Sequence, residues 1–460
     1  MNYSAYTIQG LRESLKKKHF SSESVVKDCL REIEDNKNLN AFITVCEKEA
    51  VEKAKEADKK IKEGADLPLL GVPISIKDMY LTKGIRTTAA SKVLDDYIPQ
   101  YSATAVKKLE NAGAIILGKT NCDAWAHGSS GENSDYGPTE NPYLKDYVPG
   151  GSSSGSAVSV AANMCFASTG TDTGGSIRLP ASFCNVVGLK PTYGRVSRYG
   201  VIAMASSLDS IGHFTRYVEE SALILSITAG KDPYDGTTPN EKVEDYSSYF
   251  KKNIKGIRIG MPKEYFSKGL DKRIKEKIEK EVRYLESRGA KIEIISLPHT
   301  EYAIACYYII LPAEVSSNLA RYDGIRYGSA RQNFGDEAKR RIILGTYVLS
   351  SGYYDAYYKK AMKIRTLIKK DFDEAFKKVD VIIAPVSPTL PWKIGEKADD
   401  PLAMYLTDIY TVTANLAGIP GLSVPIGLVD GLPVGMQILG PHFSEGRLFQ
   451  VGKAVEESGL

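Results

Sequence analysis

Apolar positions along this chain change their spacing near residue 70. Before it, "SSESVVKDCLREIEDN" (21–36) places Val25, Val26, Cys29, Leu30 and Ile33 on one face of a helix. That helix opens behind Ser21 or Ser22 with an acid following, a capping-box pattern. "KEAVEKAKEADKKIKEG" continues the helical composition and stops at Gly64. Residues 3–65 are therefore predicted to be helical. From 71 onward, apolar runs of strand length alternate with helical ones: "GVPISIKD" as strand, "TAVKKLENAG" as helix, "AIILGKT" as strand. The second half continues the alternation. "IKGIRIGMP" predicts a strand, "DKRIKEKIEKEVRYLESRG" a charged helix and "AKIEIISLP" a strand; helical stretches then fill 300–375. "VDVIIAPVSP", "GLSVPIGL" and "LPVGMQILG" predict the last strands. The expected fold is α/β: a central mixed or parallel β-sheet covered by helices on both faces, with an N-terminal helical segment. No repeat and no linker-like break in composition interrupts the pattern, so a single domain is expected over 1–460, with 1–65 packed on it.

Glycine and serine accumulate between 127 and 200, in "HGSSGENS", "PGGSSSGSA" and "GTDTGGS". Apolar runs such as "AVSVAANMCFAS" and "FCNVVGLKP" separate them at element lengths. These are loops wedged between buried elements, where a scaffold presents chemistry, rather than flexible linkers.

Composition narrows the function classes. The 60 basic and 56 acidic residues leave a formal net charge of only +4 on 460 residues, which argues against a nucleic-acid groove made by this chain alone. The run "KKKH" at 16–19 is expected on a solvated helix face. Six cysteines without a CxxC or a framework spacing point to reduced thiols. Cys122 and His127, five apart, lack the further ligands of a metal site, and no metal is expected. The amphipathic start carries Glu13 and resembles neither a signal core nor a transit peptide, and no run approaches the roughly 20 apolar residues of a membrane span. A cytoplasmic protein is expected.

The chemistry centres on "GTDTGGSIRLPAS" (170–182), where Ser176 follows two glycines. Three activators compete for its proton. The first is a nucleophile elbow, "GSSSG" at 151–155, which would make Ser153 the nucleophile instead; proline and charge before it make a poor central strand. The second is a histidine triad, for which His127 and His213 are the site-region candidates, although nothing pairs either with an acid. The third is Lys77, at the end of an almost wholly apolar strand. Burial there disfavours the ammonium and can lower a lysine pKa by about 3–5 units, giving a base usable near neutrality. Hydroxyls from "PGGSSSG" are candidates to relay the proton.

"GVPISIKD", "PGGSSSGSAVSVAA" and "GTDTGGSIRLPASFCNVVGLKPTYGRVS" together resemble the amidase-signature family, whose members hydrolyse amides with a Ser–cis-Ser–Lys triad. The resemblance implies Ser176 as nucleophile, Ser152 as bridging serine entered through a cis peptide after Gly151, and Lys77 as ultimate base. It further implies an oxyanion hole from the backbone of Thr173, Gly174, Gly175 and Ser176. "KTNCDAWAHGSSGENSDYGPTENP", "RYDGIRYG", "AKRRIILGTYVLSSGYYDAYYKKA" and "DDPLAMYLTDIYTVTANLAGIPGLSVP" resemble one branch of that family, the glutaminase subunits of Glu-tRNA(Gln)/Asp-tRNA(Asn) amidotransferases. That branch implies glutamine as substrate and ammonia passed to a tRNA-binding, kinase-like B subunit, with a small C subunit completing the complex. ATP and Mg2+ belong to the partner, and this chain shows no P-loop pattern and no cofactor of its own. tRNA is then met mainly through the partner, and no membrane is involved. The rival expectation is a stand-alone amidase for another small amide.

Free glutamine carries a carboxylate and an ammonium, so its pocket needs a cation and an anion. The matching positions are Arg341 and Asp408, with Tyr307 supplying a hydroxyl; Arg340 and Tyr308 are the neighbouring registers left open by the sequence. Two departures from the branch stand out. Only "SARQN" (329–333) separates "RYG" from "FG", where relatives carry a longer segment, and Ala124 stands where relatives carry glutamate.

Overall fold

Eleven strands hydrogen-bond into one sheet. In chain order they are β1 (Phe42–Val45), β2 (Pro73–Lys77), β3 (Ile115–Thr120), β4 (Ala167–Asp172), β5 (Val187–Lys190), β6 (Ser210–Thr215), β7 (Arg258–Pro262), β8 (Lys291–Ile295), β9 (Val381–Pro385), β10 (Gly421–Val429) and β11 (Leu432–Leu439). Their spatial order is β1-β3-β2-β4-β6-β5-β10-β11-β9-β7-β8. The computed structural model describes residues 3–267, 269–325, 328–398 and 400–459. Arg326 and Tyr327 of the "RYG" motif lie outside them, and the shortened segment that follows forms a 3-10 turn over Arg331–Asn333.

The sheet is mixed for a readable reason. Two parallel blocks, β3-β2-β4 and β9-β7-β8, flank an antiparallel centre in which β6, β5, β10 and β11 pair with their neighbours. Strands β2, β3, β4, β5, β6 and β9 are buried at every position, as strands covered on both faces must be. The outer strand β8 instead exposes Lys291 and Ile294 to solvent.

The N-terminal stretch is helical over Ile8–Lys16, Ser22–Asp35 and Glu47–Lys62. It is not helical throughout. Phe42–Val45 leaves it to form β1, antiparallel to β3 with Phe42 opposite Thr120. Four residues are too few to register a strand period, and the pattern of the flanking helices hides them. Ser21 caps the second helix, accepting from Ser24 N–H at 3.1 Å. The acid of the predicted capping box comes from elsewhere: Asp58 of the next helix accepts the N–H groups of Ser22 (2.7 Å) and Glu23 (3.1 Å). Sequence spacing sees only the local candidate.

Candidate active site

Lys77 is the last residue of β2 and is fully buried. Its Nζ lies 2.9 Å from Ser152 Oγ, 2.9 Å from Ser153 Oγ and 2.8 Å from Thr171 Oγ1. Among the described residues no carboxylate touches it. Burial therefore pulls its pKa from 10.5 to about 8, against the more distant pull of Cys122, Asp123, Asp172 and Asp209. The three hydroxyls are not equivalent. Ser153 donates its proton to the Thr171 carbonyl (3.2 Å) and accepts the Thr171 N–H (3.3 Å), so toward Lys77 it can only accept. The Ser152 proton has no other acceptor among the described residues and is available to a neutral amine.

The peptide bond between Gly151 and Ser152 is cis. Gly151 N–H donates to the Ser129 carbonyl at 2.9 Å, and a Cβ on Gly151 would come within 2.0 Å of Asp123 Oδ2, so only glycine fits. Ser153 itself sits at the start of the helix Ser154–Ala161 with no strand leading into it, which removes the structural basis of an elbow there.

Ser176 stands in the loop between β4 and the helix Arg178–Phe183. A buried brace shapes that loop. Asp172, at the end of β4, accepts the N–H groups of Gly175 (2.9 Å) and Ile177 (3.2 Å) and pairs with Arg178 (3.0 Å). Burial alone would raise the Asp172 pKa; the Arg178 charge outweighs it and carries the group down to about 2. Arg178 in turn donates to Gln437 (2.9 Å), Asn415 (2.6 Å) and the Thr411 carbonyl (3.0 Å). Gly175 adopts φ +140, a conformation favouring glycine, and a Cβ there would strike Thr411 Oγ1 at 2.4 Å.

The structure brings the predicted residues together unequally. Ser176 O accepts the Ser153 N–H at 3.2 Å, which sets the Ser176 backbone against the serine pair. The Ser176 hydroxyl makes no hydrogen bond among the described residues, so the expected link from Ser152 to Ser176 is not formed, although Ser152 holds its place against Lys77. Of the four loop amides, Gly175 is engaged by Asp172, while those of Thr173, Gly174 and Ser176 have no partner among the described residues. No histidine hydrogen-bonds Ser176 among the described residues: His213 lies 2.8 Å from Ser221 Oγ and His299 2.9 Å from Asp371.

Beside the loop, Tyr307 is buried on the helix Ala303–Leu319, and a Cβ on Gly174 would meet its hydroxyl at 2.5 Å. Its neighbour Tyr308 connects two charges. Its ring carries the Arg341 guanidinium 5.9 Å from its centroid, and its hydroxyl lies 3.5 Å from Asp408 Oδ2. Both tyrosine registers thus belong to this wall. The arginines separate cleanly: Arg341 is buried and bonds Glu337 at 2.8 Å, whereas Arg340 pairs with Glu337 from the solvent side. Asp408 is buried too and accepts from Ser129 Oγ at 2.8 Å. Burial pushes its pKa to about 7, against the Ser129 hydroxyl and the Arg341 charge. Thr411 then links acid and loop, its hydroxyl donating to Gly174 O at 2.5 Å.

Sequence reasoning missed Thr171, Ser129 and Thr411, because each acts through a partner at least eighteen positions away; an Asp172–Arg178 spacing of six, inside the quoted loop, was the one signal of the brace.

A sequence profile of the amidase family matches residues 24–449. The A subunit of the glutamyl-tRNA(Gln) amidotransferase of Thermoanaerobacter pseudethanolicus is 54% identical over all of this chain and 97% of its own length. That of Koribacter versatilis is 52% identical over all of this chain and 99% of its own. Among solved structures, the equivalent protein from Thermotoga maritima superposes with a TM-score of 0.85 at 42% identity, covering 99% of this chain and 95% of that one. Peptide amidase from Stenotrophomonas maltophilia superposes at 0.87 with 30% identity, covering 99% and 97%. A lysine held by hydroxyls, a cis-linked serine and a profile match along nearly the whole length agree: this chain belongs to the amidase family.

Proposed function

We propose that this chain is the glutaminase subunit of a tRNA-dependent amidotransferase. It hydrolyses glutamine to glutamate and ammonia, and its partner uses the ammonia to convert Glu-tRNA(Gln), Asp-tRNA(Asn) or both. The observation that carries the substrate is the opposed pair Arg341 and Asp408, bridged by Tyr308 and tied through Thr411 to the loop of Ser176. A pocket with a buried cation and a buried anion suits a free α-amino acid, its carboxylate on Arg341 and its ammonium on Asp408. The names of the relatives support Glu-tRNA(Gln) as acceptor and an assembly of several different chains. In that assembly a kinase-like B subunit would hold tRNA, ATP and Mg2+, and a small C subunit would complete the complex.

The reaction follows from the proton inventory. Neutral Lys77 takes the Ser152 proton while Ser152 takes that of Ser176, and Ser176 Oγ forms a bond to the side-chain carbonyl carbon of glutamine. The oxyanion rests on the amides of Thr173, Gly174 and Ser176, where one lost donor typically costs about 10²–10³ in rate. Collapse breaks the C–N bond as the relay returns a proton to the departing nitrogen, releasing ammonia. Water then attacks the glutamyl ester along the same relay, restoring Ser176.

Labelling tests this. The electrophilic glutamine analogue 6-diazo-5-oxo-L-norleucine should modify Ser176, located by peptide mass spectrometry, and abolish ammonia release. Modification at another residue, or a complete complex that releases no ammonia from glutamine, would overturn the reading.

A further inference from the structure

His127 occupies a turn that no periodicity foretells. Trp125 and Ala126 ahead of it both adopt left-handed backbone, φ +58 and +62, although neither is glycine. Such residues gather where surrounding structure holds them for a purpose. The Trp125 ring packs 4.8 Å from Tyr322 and 5.2 Å from Phe334, and Asn133 donates to the His127 carbonyl at 2.6 Å. The imidazole so placed is fully buried, and among the described residues neither Nδ1 nor Nε2 has a hydrogen-bond partner. His213, almost as buried, has Ser221 at 2.8 Å. A buried ring with both nitrogens unmet is uncommon enough to need an explanation.

The surroundings supply one. Phe334, against which the turn packs, leads directly into the helix Asp336–Val348 whose buried face carries Arg341. Two residues after His127, Ser129 donates to Asp408. Its chain neighbours on both sides thus tie this turn to the elements that carry the cation and the anion of the pocket. Burial, then the neighbouring Arg341 charge, hold it neutral, and a neutral imidazole offers one N–H donor and one acceptor.

We propose that His127 is a specificity residue whose ring N–H joins Arg341 on the α-carboxylate of the substrate amino acid. This rests on the glutamine reading above. The test compares the wild-type complex with His127→Met and His127→Asn on two substrates, glutamine and 4-aminobutanamide, which is glutamine without its α-carboxylate. Loss of a hydrogen bond to a charged group should raise the glutamine KM about tenfold or more in His127→Met. The kcat should stay within about twofold, and the KM for 4-aminobutanamide should not move. His127→Asn keeps a donor and should fall between; it carries the comparison should His127→Met not fold. Equal losses on both substrates would mean that the ring only fills the turn, and an unchanged glutamine KM would mean that it contacts no substrate; either overturns the proposal. A wild-type enzyme that ignores glutamine fails the earlier reading, whereas active wild type with indistinguishable variants fails this one alone.

Discussion

Two buried lysines stand on neighbouring parallel strands and meet opposite kinds of partner. Lys77 ends β2, and Lys119 precedes Thr120, the β3 partner of Lys77. Both are fully buried. Lys119 donates to Tyr80 O (2.7 Å) and Thr87 Oγ1 (2.6 Å) and has Asp78 3.3 Å away. Lys77 has three hydroxyls and, among the described residues, no acid in contact. Burial lowers the pKa of both, but at Lys119 the Asp78 carboxylate, the first opposing influence, stabilises the ammonium. What separates a structural cation from the general base proposed above is thus the partner and not the depth. Hydroxyls stabilise an ammonium less than a carboxylate does and can pass on the proton it sheds.

Substitutions can break this contrast. The largest effect is expected for Lys77→Ala, which should cut glutaminase kcat/KM by about 10²–10⁴ at pH 7 in a steady-state ammonia assay while the chain stays folded. Next, Lys119→Met should act on folding, costing about 3–5 kcal/mol in denaturant titration because Asp78 is left buried and uncompensated. If the two variants exchanged phenotypes, the assignment of base and structural cation would be reversed. Acidity gives a finer test. Only the unprotonated amine accepts a proton, so with Lys77 at about 8 the rate should rise with pH and fall about tenfold for each unit below that value. Asp408, at about 7, works in the same direction: its carboxylate is lost as pH falls through 7, so the glutamine KM should climb there. The smallest effect is expected for Ser153→Ala, under about tenfold in kcat, because its hydroxyl only accepts from Lys77 and deleting it loses about 1 kcal/mol.

The apolar approach in "GVPISIK" made Lys77 legible, yet "AIILGKT" carries the same signature at Lys119. What tells them apart is invisible in one dimension. Asp78 adjoins Lys77 in sequence but pairs with Lys119, because the chain turns just after Lys77 and carries the carboxylate to the neighbouring strand's lysine. The triad segments were readable because glycines and serines there are fixed by contact: Gly151 against Asp123, Gly174 against Tyr307. The pocket was less so. Helical periodicity places Arg340 and Arg341 about 100° apart but cannot say which faces inward, and the packing of Tyr308 decides it. β1 escaped because four residues between long helices carry no period, and the engagement of the Gly175 amide by Asp172 depends on a carboxylate orientation that no spacing encodes.

The brace on the nucleophile loop reaches far along the chain. Arg178 bonds Gln437, 259 positions later, and Asn415, 237 later. A polypeptide released from the ribosome before residue 411 would already own Lys77, Ser152 and Ser176 and yet lack Thr411, Asn415 and Gln437, the distant half of the support that shapes the loop. Such premature fragments should therefore be chemically silent, the nucleophile loop taking its shape only once the C-terminal part has folded against it.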